Sequence, residues 1–125
     1  MRRVRALFLV VCMLGAAAPT RPAVAAEAPF DVGLLRLSEV LGSLHFLRNL
    51  CGEKGYKWRF YMQKLMTAEN PTPERRARFI ASFNRGYRTF ERTYSSCTTS
   101  ASEAIQRYMK EGEELSRDIV VRYGN

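Results

Sequence analysis

The sequence predicts an all-α fold, a small antiparallel four-helix bundle that follows a cleaved signal peptide. Three observations predict it. Apolar residues recur every three or four positions in four successive segments, the pattern of amphipathic helices. Short breakers built on glycine, proline or a serine/threonine cluster separate those segments. No stretch alternates apolar and polar residues as a half-buried strand does, and there is no internal repeat or low-complexity tract.

The N-terminus reads as an export signal. Arg2, Arg3 and Arg5 give a positive start, and Ala6 to Ala18 follows without a charge. At about 13 residues that run is short for a bilayer span. Pro19, Arg21 and Pro22 break it, and Ala23-Val24-Ala25 has the small-x-small spacing that signal peptidase needs. Cleavage is expected after Ala25, with Ala26 satisfying the same spacing. An uncleaved anchor is disfavoured by length. Lipidation at Cys12 is disfavoured by Val11, where a small residue is wanted, and the residues around Arg2-Arg3 do not support the twin-arginine route. The expectation is therefore a signal peptide over residues 1–25, a single helical domain over 26–125, and export to the periplasm by the general secretory route.

Removing the signal changes the charge argument. The chain carries 20 basic and 12 acidic residues, a net +8. Arg2, Arg3, Arg5 and Arg21 leave with the signal, so 16 basic residues face 12 acidic ones and the mature balance is +4. That is compatible with anionic partners without demanding one. A domain of about 100 residues has a marginal core, for which a covalent staple is useful. Cys51 and Cys97 remain after cleavage, an even pair in an oxidising compartment, so a disulfide is expected.

The first helix is expected from Asp31, as N-cap, to Leu50, with Gly52 as the stop. Leu34, Leu37, Leu41 and Leu44, joined by Val40 and Leu47, form its stripe. Leu35 and Phe46 fall off that stripe. They either cover a chain end or the second helix, the favoured reading, or mark a docking surface flanked by His45 and Glu39, a homodimer seam being one form of it. The second helix runs from about Tyr56 to Glu69, with Trp58, Met62, Leu65 and Met66 on one face and Asn70-Pro71 as terminator. The third opens with Thr72 as N-cap, Pro73 at the first position and Glu74 in the first turn, and is expected to persist to about Ser95. Phe79, Ile80, Phe83, Tyr87, Phe90 and Tyr94 share its core side, with Tyr87 and Tyr94 packing rather than binding. The fourth starts at Ser100, which forms a capping-box spacing with Glu103. Ala101, Ile105, Tyr108, Gly112, Leu115 and Ile119 follow, and Gly112 is expected to admit a neighbouring backbone. In up-down-up-down order the first and third helices end at the same pole, which brings Cys51 to Cys97.

Few residues suggest chemistry. His45 is the only histidine and lies at the edge of the first stripe, without cysteines or carboxylates at metal-ligand spacing. It reads as a flank residue with a structural hydrogen bond. Arg78, Arg85, Arg88 and Arg92 form a stripe opposite the third helix's apolar face. A solvated helix face, partly neutralised by Glu74, is favoured there over an anion-binding surface. Nucleic acid is a poor partner, because the chain is exported and its aromatics lie away from the arginines. Trp58, Phe60, Tyr61, Met62, Met66, Phe79, Phe83 and Phe90 read as core rather than as a cofactor pocket. No phosphate loop, nucleophile elbow or dinucleotide fingerprint is present. No metal, cofactor or catalytic residue is expected, nor any transmembrane segment in the mature chain.

Several segments carry a resemblance. Ala81-Ser82-Phe83-Asn84-Arg85-Gly86-Tyr87-Arg88-Thr89-Phe90 is the first, followed by Thr93-Tyr94-Ser95-Ser96-Cys97-Thr98 and Ala104-Ile105-Gln106-Arg107-Tyr108. Leu41-Gly42-Ser43-Leu44-His45-Phe46-Leu47 and Leu50-Cys51-Gly52 belong with them. Together they resemble a family of small exported alphaproteobacterial proteins catalogued only as a domain of unknown function. The resemblance implies a periplasmic protein in which both cysteines belong to the family pattern; it brings no activity with it. The leading expectation is a non-enzymatic interaction module that binds a protein or an envelope component. The arginine stripe as an anion-binding surface comes second, and an enzyme using His45 or a carboxylate third.

Overall fold

The computed structural model describes residues 31–124, all in helices and short connections. The expected signal peptide and both cleavage positions lie outside the described residues. Four helices follow one another: α1 (Asp31–Leu50), α2 (Lys57–Glu69), α3 (Pro73–Thr93) and α4 (Thr99–Tyr123).

The bundle is organised around α1, on which α2, α3 and α4 each principally pack. Leu34, Val40, Leu41, Leu44 and Leu47 are buried together with Ser38, Gly42 and Ser43, so α1 is enclosed on more than one side. The two serines lose no hydrogen bonding by burial. Ser38 Oγ donates to the Leu34 carbonyl at 2.8 Å and Ser43 Oγ to that of Glu39 at 2.9 Å. Leu35 and Phe46 pack against the same core, Phe46 with its ring edge-on to Tyr87 at 5.4 Å. Both are half-buried in this packing.

At the α1–α3 crossing the two backbones approach closely, because glycine faces backbone on each side. A Cβ on Gly42 would overlap the carbonyl oxygen of Phe83, and one on Gly86 would overlap that of Glu39. Ser43 and Ser82, both buried, complete this small-residue seam. Backbone approach was expected at Gly112 instead. There an added Cβ would meet only the Val40 side chain, at 3.3 Å. The stretches Leu41–Leu47 and Ser82–Tyr87, which carried the family resemblance, meet at this seam.

Three helix ends differ from expectation. Asp31 is the first residue of α1 rather than its N-cap, and its buried carboxylate accepts two hydrogen bonds from Arg75 Nε at 2.9 and 3.0 Å. The same guanidinium reaches Glu69 at 2.9 Å and lies over the Phe79 ring at 4.9 Å. One arginine thus joins the start of α1, the end of α2 and the start of α3. The N-cap of α4 is Thr98, whose hydroxyl accepts from Ala101 N–H at 3.1 Å, so the helix begins before Ser100. α3 stops at Thr93 because Tyr94 is extended. The Thr72-Pro73 start of α3 is as expected, with Thr72 Oγ1 accepting from Arg75 N–H at 3.3 Å.

Cys51 and Cys97 form a disulfide with their Cα atoms 4.9 Å apart, at the pole where α1 and α3 both end. The bond closes a loop of 46 residues. Cys97→Ala is expected to cost about 2–4 kcal/mol through greater unfolded-state freedom. Urea unfolding of the oxidised parent and the variant would read this difference; equal midpoints would refute it.

Candidate functional site

α2 is held away from α3 and α4 by its own anchorage. Asn49 staples the α1–α2 connection: its side-chain oxygen accepts from Gly55 N–H at 2.9 Å and its amide donates to the Gly55 carbonyl at 3.1 Å. Gly52 and Gly55 turn this connection with φ of 103° and 130°, values that favour glycine. Glu53 accepts from Arg48 Nε at 2.8 Å, and this bond, helped by the charges of Arg48 and Lys57 and opposed by burial, holds its carboxyl below the usual range. At the far end, Asn70 closes α2 in a left-handed conformation. α2 then buries one row, Trp58, Met62 and Met66, against α1. Grooves remain on both sides.

The groove between α2 and α3 is the larger, about 1130 Å³, and is open to solvent. Its floor is His45, whose ring lies 6.0 Å from that of Phe83 and 5.6 Å from that of Tyr87. Met62 and Met66 line the α2 side and Ile80 the α3 side. Arg59 enters from α2, and Arg76 and Arg88 from α3, with Glu91 the one lining carboxylate. Among the described residues none of these three arginines makes an ion pair. The groove between α2 and α4 is smaller, about 590 Å³, with Leu37, Val40, Leu41 and Leu44 beneath it and Tyr61 and Met109 on its walls.

His45 has the structural hydrogen bonding expected of it. The Asn49 amide lies 3.3 Å from Nδ1 and also donates to the His45 carbonyl at 2.8 Å. Burial, and then the charge of Arg59, lowers the imidazole's pKa from its ordinary value. Unfolded, the group titrates near 6.5. As pH falls from about 7.5 through 6.5, unfolded chains therefore take up more protons than folded ones, and stability falls with pH. His45→Gln is expected to flatten that part of the stability profile. Urea unfolding at pH 7.5 and 5.5 would measure it, and an unchanged slope would show that His45 titrates alike in both states.

The four arginines of the expected stripe have different surroundings. Arg85 donates to Glu39 at 3.0 Å, Arg88 turns into the α2–α3 groove, and Arg78 and Arg92 are exposed outside it. The basic group that does converge includes Arg59 and Arg76, which sequence reasoning missed. They come from two helices, and no spacing along the chain relates them. Of the eight residues read as core, Trp58, Met62, Met66, Phe79 and Phe83 are buried and Phe90 half-buried. Phe60 and Tyr61 are instead 52 % and 40 % exposed. The helical wheel offered a signal for Phe60: at 100° per residue it lies about 160° from Met62, close to the opposite face. Ile80, placed on the core side, is 42 % exposed, because α3 turns Gly86 and Ser82 towards α1.

The profile of a family described as "Protein of unknown function (DUF2385)" matches residues 29–123, nearly the whole domain. The chain belongs to the DUF2385 family. No curated protein and no solved structure matches this DUF2385 chain. Among the described residues of this DUF2385 member, no three His, Cys, Asp or Glu side chains gather as a metal-ligand cluster. No described helix is long and apolar enough to cross a membrane.

Proposed function

We propose that the chain is a non-enzymatic interaction module that works in the periplasm, with the outward face of α2 as its docking surface. The exposed aromatic face of this helix carries the reading. Phe60 stands on the side away from α1, with Tyr56 one turn before it and Tyr61 beside it. Lys64 lies over the Phe60 ring at 4.9 Å and Lys57 over that of Trp58 at 5.4 Å. Exposed aromatics clustered on one short helix are unusual for a monomer of this size, and they suit a partner with an apolar pocket and acidic margins. The positive N-terminus, short apolar run and Ala-Val-Ala end support the location.

The enzyme reading has less support. His45 is engaged with Asn49 and two aromatic rings, and no nucleophile stands at hydrogen-bond distance from it among the described residues. The docking face is tested by Phe60→Ser with Tyr61→Ser. Stability should change by no more than about 1 kcal/mol, as for exposed positions. Chemical crosslinks to the partner in exporting cells should be lost. Unfolding of the variant would place both residues in the core, and an unchanged crosslinking pattern would show the face to be idle.

A further inference from the structure

We infer that the groove between α2 and α3 is a binding site for a small dianionic ligand with an apolar body, a phosphomonoester of an alkyl or aromatic alcohol. The site is separate from the outward face of α2, so either can fail without the other.

Charge is the first argument. Arg36, Arg48, Arg75 and Arg85 are each paired with a carboxylate, across helices or across a turn. Among the described residues Arg59, Arg76 and Arg88 form no such pair, although they line one cavity. Three like charges facing one groove repel one another, and an anion between them relieves that repulsion. Glu91, three residues beyond Arg88, offsets one of the three, leaving two positive charges for the ligand to meet. His45 adds no charge near neutral pH, since burial and Arg59 keep its imidazole unprotonated. Guanidinium groups present planar forks of donors that fit phosphate oxygens in pairs.

The walls give the second argument. Met62, Met66, Ile80 and Phe83 make much of the lining apolar, so a bare inorganic anion would leave that surface unused. Asn84 and Gln63 add neutral hydrogen-bonding groups from α3 and α2. A headgroup among the arginines with an alkyl or aryl body along the methionines uses both parts. Two sources carry this chemistry, a soluble phosphate ester and the headgroup of an anionic lipid.

The test uses the exported, disulfide-bonded protein and three probes: inorganic phosphate, hexyl phosphate, and phosphatidylcholine vesicles with or without phosphatidic acid. Titration followed by amide NMR should show saturable shifts at His45, Asn84 and Tyr87 with hexyl phosphate, and weaker binding of inorganic phosphate. Arg76→Gln with Arg88→Gln should weaken hexyl phosphate binding about tenfold or more. Arg59→Gln, on the facing helix, should weaken it independently. Arg92→Gln with Arg107→Gln removes the same charge outside the groove and should leave affinity within about twofold, since only long-range screened charge is lost. Retention on phosphatidic acid vesicles alone among the vesicles identifies the lipid source, and soluble binding without retention identifies the free ester. The inference is overturned by shifts outside the groove, by no saturable binding, by inorganic phosphate binding as well as the ester, or by the control pair losing as much affinity as the groove pair.

Discussion

Arg75→Ala is expected to destabilise the protein by about 3–5 kcal/mol, the cost of stranding a buried charge. The Asp31 carboxylate is only 5 % exposed, and Arg75 holds it with paired hydrogen bonds while also binding Glu69. Attraction to both carboxylates raises the guanidinium's pKa, the Asp31 hydrogen bonds contributing most. Without the guanidinium, the buried Asp31 carboxylate would lose its hydrogen-bonding partner at the junction of three helices. The Phe79 ring would also lose the cation above it. Asp31→Asn combined with Arg75→Ala should recover part of the loss, because the stranded charge is then gone. Urea unfolding of the single and double variants measures both effects. A single variant within about 1 kcal/mol of the parent would mean that the pair is exposed and exchangeable.

Gly42→Ala is expected to cost about 3–5 kcal/mol, at or above the upper end of overpacking penalties. The added methyl would overlap the Phe83 carbonyl, a backbone atom that no rotamer change can move aside. Relief requires α1 and α3 to separate, which loosens the packing of Phe79, Phe83 and Leu44 along the seam. Gly112→Ala is the matched comparison. Its methyl meets one Val40 methyl group at 3.3 Å, and alanine has the better helix propensity by up to about 1 kcal/mol, so the change should be near neutral. Thermal and urea unfolding of the two variants would separate a backbone crossing from a side-chain contact. Equal effects would contradict the geometry.

Much of the bundle was legible because large apolar residues mark it. The α1 leucines, the Trp58-Met62-Met66 row and the Thr72-Pro73 start each followed from spacing or capping chemistry. The cysteine pairing followed from the expected export and the bundle topology together. What escaped was carried by small or polar residues. Gly42, Gly86, Ser43 and Ser82 form the close α1–α3 seam, yet a hydrophobic pattern scores them as weak positions. Missing them rotated the expected core face of α3 towards Ile80. Ser100 drew the α4 start because its spacing to Glu103 imitates a capping box, whereas Thr98 supplies the oxygen that accepts from Ala101. Phe60 and Tyr61 were assigned to the core by residue type, although a 13-residue helix packed mainly on one neighbour buries a single row. The arginine groove was out of reach of spacing arguments. His45, Arg59, Arg76 and Arg88 come from three helices, and only the α1–α3 crossing and the stapled connection before α2 bring them together.

Docking through the outer face of α2 is the central functional claim, and site-specific photocrosslinking in exporting cells tests it most directly. A photoreactive phenylalanine would replace Phe60 in one strain and Glu103, exposed on α4, in another. The account predicts a discrete adduct in the periplasmic or envelope fraction from position 60, competed away by excess unlabelled protein, and none from position 103. Absence of an adduct at position 60, or equal adducts from both positions, would contradict it.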